Sequence, residues 1–186
     1  MLPLSSLQLA SWCLATLLLA WLSRRTLGNP RCHGFYRFFA FSATAAAFIN
    51  ALPHWHDNIF APHQLLSWLL FAIAGGFVIN GLHLLRSRGG RRESGMRENF
   101  AFENTATLVE GGLFRYIRHP MYSALMLFAW GLCLKQPGLF SATCASLASV
   151  FLWLTAKVEE QENLQVFGEA YRHYCRRTRH FIPFVF

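Results

Sequence analysis

Charge is what this sequence has least of. Only 14% of its 186 residues are charged while 54% are hydrophobic, against roughly a quarter charged in an average soluble domain. That shortage excludes an ordinary soluble domain with a solvated surface. The five cysteines form no Cys-x-x-Cys pair, so neither a zinc knuckle nor a disulfide framework is indicated. Cys13, Cys133 and Cys144 fall in apolar stretches, where cysteine behaves as a small hydrophobe. Internal repeats and low-complexity tracts are missing too. Met1–Ser11 contains no Lys or Arg and no clear small-x-small cleavage site follows the first apolar run. That run is therefore expected to be a retained helix with its N-terminus outside, not a secretory leader.

Long apolar runs are what the sequence has in abundance. Leu4–Leu22, Gly34–Leu52 and Leu65–Leu85 each extend over roughly 19 to 21 residues with at most one charge, about what a helix needs to cross a ~30 Å hydrocarbon layer. Met121–Ala156 is broken only by Leu134-Lys135-Gln136-Pro137-Gly138, a turn signal that predicts the tip of a helical hairpin. The expected fold is all-α: an integral membrane bundle of about five transmembrane helices, the last two a hairpin. A C-terminal amphipathic helix is expected from about Lys157 to Arg177, with Leu164, Phe167, Tyr171 and Tyr174 on its apolar side. A single membrane domain results. Residues 1–85 form a three-helix scaffold, 86–103 a polar, basic cytoplasmic loop, and 104–186 the half that carries the chemistry. From Pro120 to Leu134 the first hairpin arm is only about 22 Å long. Such a helix either starts inside the membrane, where only a protein-lined cavity can satisfy its free N–H groups, or leaves its tip buried in the bilayer.

The formal net charge of +8 raises nucleic acid as a partner, but the basic residues argue for topology. They sit in the first connection (Arg24, Arg25, Arg31, Arg37), the middle segment (Arg86 to Arg118) and the tail (Lys157 to Arg179). An odd number of crossings puts all three on one side, which excess Lys and Arg mark as cytoplasmic. The expected contacts are therefore the membrane and its anionic headgroups, with no nucleic acid.

Two constellations stand out. In the first, Leu108-Val109-Glu110-Gly111-Gly112-Leu113-Phe114-Arg115-Tyr116-Ile117-Arg118-His119-Pro120-Met121-Tyr122, Pro120 suits the first turn of a helix. The backbone N–H groups just beyond it lack helical acceptors and favour an anion. Arg118 and His119 add donors there. The plainer reading is a basic, aromatic anchor at the membrane interface. The second is Glu159-Glu160-Gln161-Glu162-Asn163. A helix leaving the bilayer explains solvated carboxylates at that point, yet Glu159 and Asn163 are spaced i, i+4 and share one face.

Together with Phe167-Gly168-Glu169-x-Tyr171-x-x-Tyr174 and the closing Ile182-Pro183, these motifs resemble those of the isoprenylcysteine carboxyl methyltransferase and phospholipid methyltransferase superfamily. The resemblance runs over roughly Asn99–Pro183. It implies S-adenosylmethionine bound inside a membrane bundle and a methyl group passed to a lipophilic small molecule or lipid. By that resemblance Thr107, Leu108, Val109 and Phe114 line the adenosine pocket, with Asn99 contributing. His119, Pro120 and Tyr122 hold the methionine end, and Glu159 meets the amino group or ribose. Arg118, Glu159 and Glu160 are the residues expected to carry the chemistry. The residue types agree with that ligand. A helix start with Arg118 suits its carboxylate, the glutamates suit its ammonium and sulfonium, and Phe114 with Tyr116 or Tyr122 can cover the purine. Methyl transfer is an in-line displacement in which orientation and exclusion of water do most of the work.

One departure leaves the acceptor open. The isoprenylcysteine enzymes carry an arginine four residues before the first matched glutamate, a position held here by Thr155, with Lys157 two residues further on. A carboxylate, a thiol and a lipid amine all stay in play. A similar Arg-His-Pro-x-Tyr and Phe-Gly-x-x-Tyr ending occurs in membrane sterol reductases, so an NADPH-dependent reductase is the alternative. His54, His56, Asp57 and His63 have no spacing logic beyond His-x-His, and no metal is expected.

Overall fold

The structure, a computed structural model, describes residues 5–90 and 105–183. Most of the connection expected over 86–103 lies outside them, as does Asn99. The described residues form seven α-helices and no strand: α1 (Ser6–Leu22), α2 (Arg24–Leu27), α3 (His33–Ala51), α4 (Pro62–Arg88), α5 (Pro120–Lys135), α6 (Leu139–Phe167) and α7 (Glu169–Arg177). This is the all-α membrane bundle that the hydropathy pattern predicts.

Each boundary has a local cause. The Ser5 hydroxyl accepts from the Gln8 N–H at 3.3 Å and the Gln8 side chain accepts from the Ser5 N–H at 2.9 Å, a reciprocal cap on the start of α1. Proline sits in the first turn of α4 and of α5, where its missing N–H costs nothing. Between α5 and α6 the chain turns at Gln136-Pro137-Gly138.

Small residues set how closely the helices approach. Ala40, Ala46, Ala47 and Ala51 of α3 and Ala145, Ala148 and Ala156 of α6 are buried, letting these two backbones pack tightly along their length. On α4, Ser67 donates to the Gly131 carbonyl at 2.8 Å. A Cβ at Gly131 would lie 2.5 Å from the Phe71 ring. Near the hairpin tip the Lys135 ammonium is buried, donates to Gln64 Oε1 at 2.8 Å and lies 3.7 Å from the Trp68 ring centroid. Amide oxygen and aromatic face together replace its water.

Among the described residues, three helices are long and apolar enough to cross a membrane: His33–His54, Pro62–Arg88 and Leu139–Phe167. With 17 and 16 residues, α1 and α5 reach only about 24 to 26 Å. The tail differs from expectation. No helix begins at Lys157; α6 runs unbroken from Leu139 to Phe167 and the chain breaks at Gly168, whose φ is +56°. The switch from apolar to polar residues at Lys157 marks a change of surroundings for one continuous helix, and only glycine readily adopts the turn that ends it. α7 then folds back with Tyr171 and Tyr174 buried. After it, residues 178–181 lie beside the entry to α5: Arg118 N–H donates to Arg179 O at 2.7 Å and His119 N–H to His180 O at 3.1 Å.

Candidate ligand-binding site

The start of α5, the last three turns of α6 and the buried face of α7 line a half-open cleft. Of the site residues expected from sequence, Leu108, Val109, Phe114, Arg118, His119, Pro120, Tyr122 and Glu159 line it.

One wall is polar. The Tyr122 hydroxyl donates to Glu159 Oε2 at 2.5 Å. The His119 ring stacks on Tyr122 with centroids 5.4 Å apart, its Nδ1 3.8 Å from Glu159 Oε2 and its Nε2 3.4 Å from Glu160 Oε1. The opposite wall is apolar: Val109 and Phe114 pack with Leu84 and Leu85, and the Tyr174 hydroxyl donates to the Phe114 carbonyl at 2.7 Å. Burial raises the Tyr174 phenol above its ordinary value. Burial also raises the Tyr171 phenol, helped by the negative charges of Glu159 and Glu160. Both tyrosines are therefore neutral hydroxyls at any physiological pH.

The two adjacent glutamates divide their work, because neighbours on a helix point about 100° apart. Glu159 faces the cleft, and Glu160 does not line it. Glu160 Oε1 accepts from Arg118 Nε at 2.6 Å, and Glu160 Oε2 lies 3.2 Å from His180 Nε2. The rest of the Arg118 guanidinium is engaged as well. Nη1 donates to Thr178 O at 2.6 Å and Cys175 O at 3.2 Å, and Nη2 lies 3.1 Å from the His180 ring. Arg118 thus ties the entry of α5 to α6 and to the segment after α7. Burial lowers the His180 imidazole below its ordinary value, and the Arg118 charge adds to this against the opposing pull of Glu160.

Thr107 does not line the cleft; its hydroxyl donates to Arg88 O at 2.7 Å and Gly89 O at 3.1 Å, fastening the incoming loop to the end of α4. Thr155 is buried with its hydroxyl on Phe151 O at 2.7 Å, and Lys157 is exposed with its ammonium 5.6 Å from the Trp153 ring. Neither reaches the cleft. Sequence reasoning missed Leu85, Thr105, Met121, Asn163, Phe167, Tyr171 and Tyr174 as lining residues. The signal was present for α6, where Glu159, Asn163 and Phe167 recur every four residues on one face.

Among the described residues, Cys32, His33 and Glu162 alone bring three metal-ligand atoms within 4.8 Å of one another. Their hydrogen bonding disfavours a cation. The His33 ring lies 2.7 Å from Glu162 Oε2 through Nδ1, and 3.4 Å from the Arg37 guanidinium through Nε2. Arginine can only donate, so Nε2 accepts, Nδ1 carries the proton, and a positive charge already stands beside the ring. His54 and Asp57 form an exposed pair at 2.8 Å.

A model of the phospholipid methyltransferase family matches residues 63–170. Methanethiol S-methyltransferase 1 from Bradyrhizobium diazoefficiens is 27% identical over 71 residues, which cover 38% of this chain and 24% of that protein. The chain thus spans about a quarter of the length of the curated relative it matches. No solved structure matches.

Proposed function

Because the chain belongs to the phospholipid methyltransferase family, we propose that it is a membrane methyltransferase that takes its methyl group from S-adenosylmethionine and passes it to a lipophilic acceptor. One observation carries the reading: a cleft with a carboxylate-bearing wall facing an apolar, aromatic wall. The donor has matching parts, a charged amino-acid end with a sulfonium and a flat purine. When bound, it supplies an electrophilic methyl group on a positively charged sulfur. The residues of the chain do the rest. Glu159 holds positive charge, and its position is fixed by the Tyr122 hydroxyl. The first turn of α5, at Met121 and Tyr122 just beyond Pro120, presents backbone N–H groups to a carboxylate. Phe114 and Tyr174 cover an apolar ring and exclude water.

Arg118 and Glu160 act as positioning residues in this reading, since their charged groups are turned toward each other and toward Thr178 and His180. The basic residues of α2, of the end of α4 and of α7 give this face of the bundle a positive surface, which supports a cleft facing the cytoplasm. The acceptor class stays broad. The relative named above acts on methanethiol by its name, and a thiol, a lipid amine or a carboxylate arriving from the bilayer all fit a lipophilic acceptor. None of the matches is to a reductase, leaving the NADPH alternative without support.

The test is chemical. Purified protein in vesicles is incubated with isotopically labelled S-adenosylmethionine and a lipid extract supplemented with small thiols, and the products are read by mass spectrometry. Appearance of label in a thiol or lipid product is expected. Binding of NADPH with no transfer from the methyl donor overturns the proposal.

A further inference from the structure

We propose that Asn163 reads the nucleoside part of the ligand, its side-chain amide hydrogen-bonding to a neutral hydroxyl or ring nitrogen between the charged end and the aromatic end. This rests on the donor-site reading given above and deepens it by assigning a specificity residue.

The first observation is an order. Down one face of α6 the cleft meets Glu159, then Asn163, then Phe167, each about 6 Å beyond the last. A carboxylate is followed by a neutral amide and then by an aromatic ring. A nucleoside bearing an amino-acid tail has the same sequence of chemistries: charge, then sugar hydroxyls, then an apolar base. Glu159 is fixed at the charged end by Tyr122, so the amide one turn further on falls opposite the sugar and base edge.

The second observation is capacity. An asparagine amide offers two donors and two acceptor lone pairs. The Asn163 side chain lies close to Tyr171, which is buried to 2% exposure on α7, turned back by the break at Gly168. Asn163 itself stays partly accessible and lines the cleft, so its amide is available to a ligand there.

The third observation is selectivity. Among the described residues, no Lys or Arg side chain other than Arg118 lines the cleft, and Arg118 is held by Glu160, Thr178 and His180. Discrimination at the middle of the site then falls to neutral hydrogen bonds. A site built for a hydroxyl rejects a ligand lacking it because its own polar group is left unpaired.

The experiment is titration calorimetry on the full chain in vesicles with three ligands: S-adenosylmethionine, S-adenosylhomocysteine and 5′-methylthioadenosine, which lacks the amino-acid tail. Asn163→Leu is expected to weaken all three alike, by on the order of tenfold, the worth of one buried hydrogen bond. Glu159→Gln is expected to weaken the two tailed ligands and leave 5′-methylthioadenosine unchanged. Asn163→Ala, which removes the amide without adding bulk, gives the same readout where Asn163→Leu fails to fold. Unchanged 5′-methylthioadenosine affinity in the Asn163 variant, with wild type binding S-adenosylmethionine, overturns the inference alone. No affinity of the wild type for any of the three overturns it together with the donor-site reading.

Discussion

Glu159 and Glu160 are chemically identical neighbours with different surroundings, and substitutions should separate them. Tyr122→Phe removes the donor that orients Glu159; affinity for the methyl donor should fall about fivefold, the worth of roughly 1 kcal/mol, with the unfolding temperature nearly unchanged. Arg118→Ala strips the arginine partner from a largely buried carboxylate, leaving it His119 and His180, and breaking such a pair costs roughly 3 kcal/mol. Its first readout is a lowered unfolding temperature in detergent, ahead of any binding defect. His180 gives a pH signature. Its imidazole is held below the ordinary value of 6.5, so as pH falls through that value the unfolded chain takes up the proton more readily than the folded one. Stability should therefore decline from about pH 7 toward about pH 5, and the slope should flatten in His180→Gln. The glutamate pair was legible in the sequence. Which of the two turns toward the cleft was not, because that depends on the rotation of α6 against α5.

At the scale of elements, the helix that holds Glu159 also sets where α7 goes. Gly168 has φ +56° and ψ −127° with open space where a Cβ would sit, so Gly168→Ala introduces backbone strain without a clash. A cost of about 1 to 3 kcal/mol is expected. Ligand affinity should drop with it, as Tyr171 and Tyr174 shift from the cleft; unchanged affinity in a stable variant would show that α7 does not build the site. Gly131→Ala is the contrasting case. There the Cβ meets the Phe71 ring, and the α4–α5 contact should lose roughly 1 to 3 kcal/mol by overpacking, read as a lower unfolding temperature. Element starts were plain in the sequence wherever a proline or a turn cluster marked them, as at Pro120 and at Gln136-Pro137-Gly138. The extent of α6 was not. Its residues from Lys157 onward look like a separate amphipathic helix by composition, and only the absence of a breaker before Gly168 says otherwise.

Across the whole molecule, three long apolar helices and two short ones make a bundle whose interior changes character from one end to the other. Near the hairpin tip Lys135 is satisfied by Gln64 and an aromatic cluster; at the opposite end polar side chains converge where α5 begins and α6 passes. With 16 residues, α5 is shorter than a hydrocarbon layer of about 30 Å requires, and the cleft lies at its N-terminal end. Basic residues at that end should make it cytoplasmic. Single cysteines placed at Arg86 and Gln136 in a background without other thiols should label from opposite sides of sealed vesicles, and labelling from one side would contradict the topology. Apolar run lengths and charge asymmetry carried this much of the architecture. The walls of the cleft were less legible, because residues from 85 to 174 meet there only through the tertiary fold.

Binding of S-adenosylmethionine to the purified protein, measured for wild type, Glu159→Ala and His119→Ala at matched folding, tests the donor site most directly. Saturable binding by wild type and its loss in both variants is the expected result; affinity retained in both would place the donor elsewhere or nowhere on this chain.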